Sequence, residues 1–188
     1  MALELKILVK NENKTANRII KLNEYFKKDG FIKQVDNLPD GYKIRSVLPH
    51  VGSKYDCVRH KNGYPFRIVI MGLEALDEEG YEIKKRTKQI EINTANVPFK
   101  ERNPHMKGTT VLLKFILKDI CGMDIAGELI NGNHIFEYFC LSNWYLHGCF
   151  LIGKNKAYRK LVKPEMAAKH FIETMKRLDP SLVILQGK

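Results

Sequence analysis

The run Arg67-Ile68-Val69-Ile70-Met71-Gly72 constrains the fold more than any other segment of the chain. It is continuously apolar after its arginine, β-branched at three successive positions, and stopped by a glycine. So short an apolar run, rich in β-branched residues, reads as a strand. A strand that is apolar at successive positions has no face to give to solvent, so it needs cover on both sides. Functional side chains in such sheets collect beyond the carboxyl ends of the strands, which directs attention to Gly72-Leu73-Glu74-Ala75.

The surrounding sequence supplies the cover. Asn13 to Lys28 predicts a first helix, with Ile19, Leu22, Tyr25 and Phe26 near helical spacing and Asp29-Gly30 as its stop. From there to about Pro65 the chain reads as irregular. Gly108-Thr109-Thr110 opens a second helix, with Val111, Leu112, Phe115, Ile116 and Ile120 expected on its buried face. Ile135 to Leu141 is a second buried-strand candidate, leading into Ser142-Asn143-Trp144-Tyr145, and Cys149 to Ile152 is a short apolar piece. Pro164 suits the first turn of a third helix, with Ala168, Phe171, Ile172, Met175 and Leu178 expected inward. Asp179-Pro180 ends it, and Leu182 to Leu185 is a third strand. Helices separating buried strands predict an α/β fold, a central and mainly parallel sheet flanked by helices. At 188 residues one domain is expected over 1–188, with 1–47 as a helical and irregular extension packed on it.

Charge narrows the partners. The formal net charge is +11, which favours a polyanion, since lysines and arginines that neutralise phosphates gain affinity by counterion release. The densest basic run is Lys84-Lys85-Arg86-Thr87-Lys88, either solvated surface or a loop that contacts phosphate. The amino terminus lacks the pattern of a secretory signal and no apolar stretch is long enough to span a bilayer, so a cytoplasmic protein without a membrane partner is expected. Cys57, Cys121, Cys140 and Cys149 form no closely spaced pair, and no metal or other cofactor is expected. Phosphate-loop, dinucleotide-fingerprint, zinc-deaminase and nucleophile-elbow motifs are all missing.

What remains is a constellation in chain order: an apolar strand ending in Gly72-Leu73-Glu74-Ala75, a second ending in Ser142-Asn143, and a helix, proline turn and strand running from Met175 to Gly187. In these features the chain resembles the uracil-DNA glycosylase superfamily. There the first motif takes forms such as G-Q-D-P-Y, G-I-N-P-G and G-E-A-P-G, and Glu74 stands in the slot that holds Asp or Asn in the first two. Asn143 matches the asparagine that ends a central strand. The resemblance spans roughly Leu48 to the end.

It implies a three-layer α/β/α fold and hydrolysis of the N-glycosidic bond of uracil or another modified base, in single- or double-stranded DNA. Glu74 would assist the sugar cation and orient water, Asn143 would read the extruded base, and Phe99 or Trp144 would stack on it. His147 is a candidate donor to the departing base, and Lys84, Lys85, Arg86 and Lys88 would hold phosphate. Each has a plainer reading: a solvated carboxylate, a turn cap, packing aromatics, an exposed histidine. Two departures favour a nucleic-acid-binding module without catalysis. Ala75-Leu76 follows Glu74 where the family has proline, and the sequence stops at Lys188, before any histidine-containing segment, as a truncated chain would.

Overall fold

The computed structural model describes residues 2–27, 40–74, 84–85, 104–123, 135–151 and 164–186. Helix α1 spans Ala2–Lys27. It starts eleven residues before the expected Asn13, because Ala-Leu-Glu-Leu-Lys is a run of strong helix formers with no stop signal. Strands β1 (Tyr42–Leu48) and β2 (His50–Val51) occupy a stretch that reads as irregular in the sequence. A single 3₁₀ turn at Tyr55–Cys57 leads to β3 (Ile68–Glu74), and β4 is the short piece Lys84–Lys85. Helix α2 (Pro104–Phe115) runs into a π-helical turn at Ile116–Ile120. A 3₁₀ turn at Ile135–Glu137, where a strand was expected, precedes β5 (Cys140–Tyr145) and β6 (His147–Leu151). Helix α3 (Pro164–Leu178) and β7 (Leu182–Leu185) follow where the sequence predicts them.

The fold is α/β with a mixed four-stranded sheet in the order β2-β5-β3-β7. Strands β5, β3 and β7 are parallel, with β3 central, and β2 joins β5 antiparallel. A second sheet, β4-β1-β6, continues from it. β1 and β2 lie against β6 and β5 as one antiparallel ribbon, but its register shifts between His50↔Leu141 and Ser46↔His147. Between those pairs one strand holds three residues and the other five, so the ribbon bulges at 142–146. There β5 is engaged with β3 on its other edge.

Alternation along the strands sorts the core into two layers. Ile68, Ile70 and Leu141 pack with Leu113, Ile116 and Leu117 of α2 and the turn after it. Val69, Met71 and Cys140 face the other way, against Leu22 and Phe26 of α1 and Leu178 of α3. Tyr55, fully buried, fills the same layer. The helices present the expected stripes only in part: Ile116, Phe171, Met175 and Leu178 face the core as expected. In α2 the buried positions include Thr109, Thr110 and Leu113, while Val111, Leu112 and Phe115 are exposed. Val111, Leu112, Leu113, Phe115 and Ile116 are too closely spaced for periodicity alone to select the inner face. In α3 the buried residues are Ala167, His170, Thr174 and Leu178, and Ile172 is exposed. No described helix is long and apolar enough to cross a membrane.

Polar groups lock the amino end of β3. Asp56, buried, accepts from Arg18 Nε at 2.9 and 3.2 Å and donates its own N–H to Thr15 Oγ1 at 3.0 Å. Arg18 also reaches the Arg177 carbonyl at 2.8 Å, and Arg67 Nη1 stands 3.8 Å from Asp56. Arg67 grips both the carbonyl and the carboxylate of Asp179, which ends α3 in the left-handed conformation at φ 48°. Between α1 and α3, Tyr25 hydroxyl and His170 Nδ1 share a 2.8 Å hydrogen bond, and Arg177 lies over the Tyr25 ring at 4.4 Å. Burial, helped by nearby Lys169, pushes His170 down to about 4.

Candidate functional site

At the carboxyl ends of the three parallel strands the apolar rows give way to a polar one. Gly72 pairs with Asn143 across β3 and β5. On the other edge, Ile70 pairs with Ile184 and Met71 with Leu185; continuing that register brings Gln186 level with Gly72. The Gln186 N–H donates to the Met71 carbonyl at 2.8 Å, which carries the ladder one step further. An asparagine, a glycine and a glutamine therefore stand side by side across three strands. This row continues the face of Ile70, Leu141 and Ile184, the face that α2 covers.

Each neighbour of Gly72 is held. A Cβ at Gly72 would lie 2.7 Å from Asn143 Oδ1, so the amide of Asn143 leans over the glycine and occupies the space a side chain would take. Asn143 is 3% exposed. Gln186 Nε2 donates to Thr109 Oγ1 of α2 at 2.5 Å, and Thr109 and Thr110 are themselves buried. This explains the inner stripe of α2: the face carrying Thr109 satisfies the glutamine, which the stripe of Val111 and Phe115 could not do. The row presents two carboxamides, each with a donor and an acceptor, from the strands on either side of Gly72, with the Asn143 amide lying over the glycine.

The expected site residues distribute unevenly around this row. Asn143 belongs to it. Glu74 ends β3 in register with Tyr145, two positions beyond the Gly72–Asn143 pair; the backbone is described there, its side chain is not. Trp144 is not brought to the site. It follows Asn143 in a strand, so it faces the opposite layer, where its ring packs on Phe171 of α3 with centroids 5.1 Å apart. His147 begins β6, opposite Ser46 in the second sheet, and its side chain also lies outside the described residues. Lys84 and Lys85 pair in parallel with Val47 and Leu48 at the edge of that sheet. Phe99, Arg86 and Lys88 lie outside the described residues.

Gln186 and Thr109 are the members that sequence reasoning missed. Gln186 sits in the Gln-Gly that ends the last strand, and Thr109 reads as a helix cap; only the parallel register shows that they meet. Among the described residues no group of three or more His, Cys, Asp or Glu could hold a metal ion. Burial raises the thiols of Cys57 and Cys121 to about 11, which keeps them protonated and poor nucleophiles near neutral pH.

Comparison of the chain with family models, with curated proteins and with solved structures returns no match.

Proposed function

We propose that the Asn143–Gly72–Gln186 row is the base-recognition floor of a DNA base glycosylase, with Glu74 as its catalytic carboxylate. The observation that carries this reading is the register: two side-chain amides flank a glycine at the strand carboxyl ends, and the carboxylate follows that glycine by two residues. The pleat repeats every two residues, so positions 72, 74, 143 and 145 fall on one side of the sheet. Neighbours two positions apart on adjacent strands lie about 7–8 Å from each other, close enough for one nucleotide to touch both. The layering supports the reading too, with α2 on one face of the parallel strands and α1 with α3 on the other.

In this mechanism the base leaves with the bonding electrons of the N-glycosidic bond, and positive charge develops on the sugar. Water adds its hydroxide to the anomeric carbon, and its proton ends on the departing base or on Glu74. Glu74 orients that water and stabilises the cation. Asn143 and Gln186 offer donor and acceptor groups to the polar edge of an extruded base, and glycine at position 72 leaves room for the Asn143 amide that lies over it.

The test is release of base from labelled oligonucleotides carrying uracil and a panel of other modified bases. Glu74→Gln is expected to abolish release, and Asn143→Ala to slow it by about 10²–10³. No release from any substrate on the panel would refute the catalytic reading.

A second reading, nucleic-acid binding without cleavage, is favoured by the depth of Asn143, whose 3% exposure leaves little of its amide for a base. It predicts salt-sensitive binding that survives Glu74→Gln.

A further inference from the structure

A second surface lies at the other end of β3. Residues 59–65 form a tight hairpin, closed by the antiparallel bridge Arg59↔Pro65 and by the His60 N–H, which donates to the Tyr64 carbonyl at 2.9 Å. Gly63 turns it in the left-handed conformation at φ 88°, and its N–H donates to the His60 carbonyl at 2.7 Å. The Asn62 N–H donates to His60 Nδ1 at 3.1 Å, which fixes the imidazole. That ring stacks face to face on Tyr64, with centroids 4.4 Å apart and planes 10° from parallel. Phe66, packed against the core, meets the same imidazole at 5.9 Å. The three rings form a column that runs outward from the core and ends on Tyr64, 49% exposed.

The column is set in positive charge. The hairpin carries no acidic residue; of its two cations Lys61 is exposed, while Arg59 donates to Asn11 Oδ1 of α1 at 3.0 Å. Its Lys61 N–H donates to the Ile120 carbonyl, which seats it against the turn that bears Lys118 and Asp119. A stacked aromatic ring that is half exposed, on a turn that also carries an exposed lysine, has the parts needed for base stacking on single strands. From these residues we infer that the 59–65 hairpin is a platform for single-stranded nucleic acid, with a base stacking on Tyr64 and Lys61 contacting phosphate. The platform stands about 20 Å from Gly72 along β3, so its test does not depend on the amide row.

The experiment is fluorescence anisotropy of a labelled oligothymidylate with the full chain, across a salt series. Tyr64→Ala is expected to weaken binding by about 10- to 100-fold, while Tyr64→Phe retains it. Lys61→Ala should reduce the slope of log K against log salt by about 0.7. The inference is overturned if Tyr64→Ala binds as tightly as the parent chain. It is also overturned if the parent chain binds an abasic deoxyribose-phosphate strand as tightly as oligothymidylate, a comparison that needs no variant to fold.

Discussion

Adding one methyl group at Gly72 tests the geometry on which the candidate site depends. In Gly72→Ala the new Cβ would stand 2.7 Å from Asn143 Oδ1, well inside van der Waals contact, while the next backbone atom, the Ser142 carbonyl oxygen, is a tolerable 3.7 Å away. The whole conflict is therefore with one buried amide. Overpacking of this kind costs about 1–3 kcal/mol. Removing glycine from a strand interior returns about 0.5–1 kcal/mol. Gly72→Ala should thus destabilise the chain by about 1–2 kcal/mol. In an Asn143→Ala background the opposing atom is gone, and the same change should be neutral or stabilising. The four proteins of this cycle, followed by urea unfolding at constant m, should show a coupling energy of about 1–3 kcal/mol. Additivity within about 0.5 kcal/mol would refute the arrangement, because it would mean that the amide of Asn143 does not lie over Gly72. If the site reading is also right, Gly72→Ala should impair base release much as Asn143→Ala does.

Three further outcomes follow from the packing. His170 sits near 4 in the folded chain against an ordinary 6.5, so the unfolded chain takes up the proton first as pH falls. Stability should be full above about 6.5 and decline towards pH 4 by about 3 kcal/mol, and urea midpoints for the parent chain and His170→Gln should differ in that window. Asp56→Ala removes the buried carboxylate from between Arg18 and Arg67 and leaves them the exposed Asp179 as carboxylate partner, and a loss of about 2 kcal/mol is expected in the same assay. Gly52→Ala would drive a Cβ to 2.3 Å from the Glu137 carbonyl group, where backbone meets backbone and neither can yield; loss of the cooperative unfolding transition, or a cost above about 4 kcal/mol, is the expected result.

Local chemistry was enough to identify the central strand and its surroundings. The apolar run before Gly72, the proline that opens α3, the Asp-Pro stop and the last strand all follow from propensity and burial pattern. Asn143 is singled out in the sequence by the family resemblance, and it lies within β5 rather than at its end. Tertiary structure decided the rest. Tyr42-Lys43-Ile44-Arg45 alternates as a strand does, but the pairing of β1 with β6 and of the two-residue β2 with β5 is a matter of tertiary structure. The inner stripe of α2 depends on Gln186, which lies 77 residues away and finds its partner in Thr109. Trp144 and Asn143 are adjacent in sequence yet serve opposite faces of the sheet. A sequence records which groups need burial or a hydrogen-bond partner. Which partner each one meets depends on strand order and register, because parallel strands bring distant segments level only after the crossovers between them have packed.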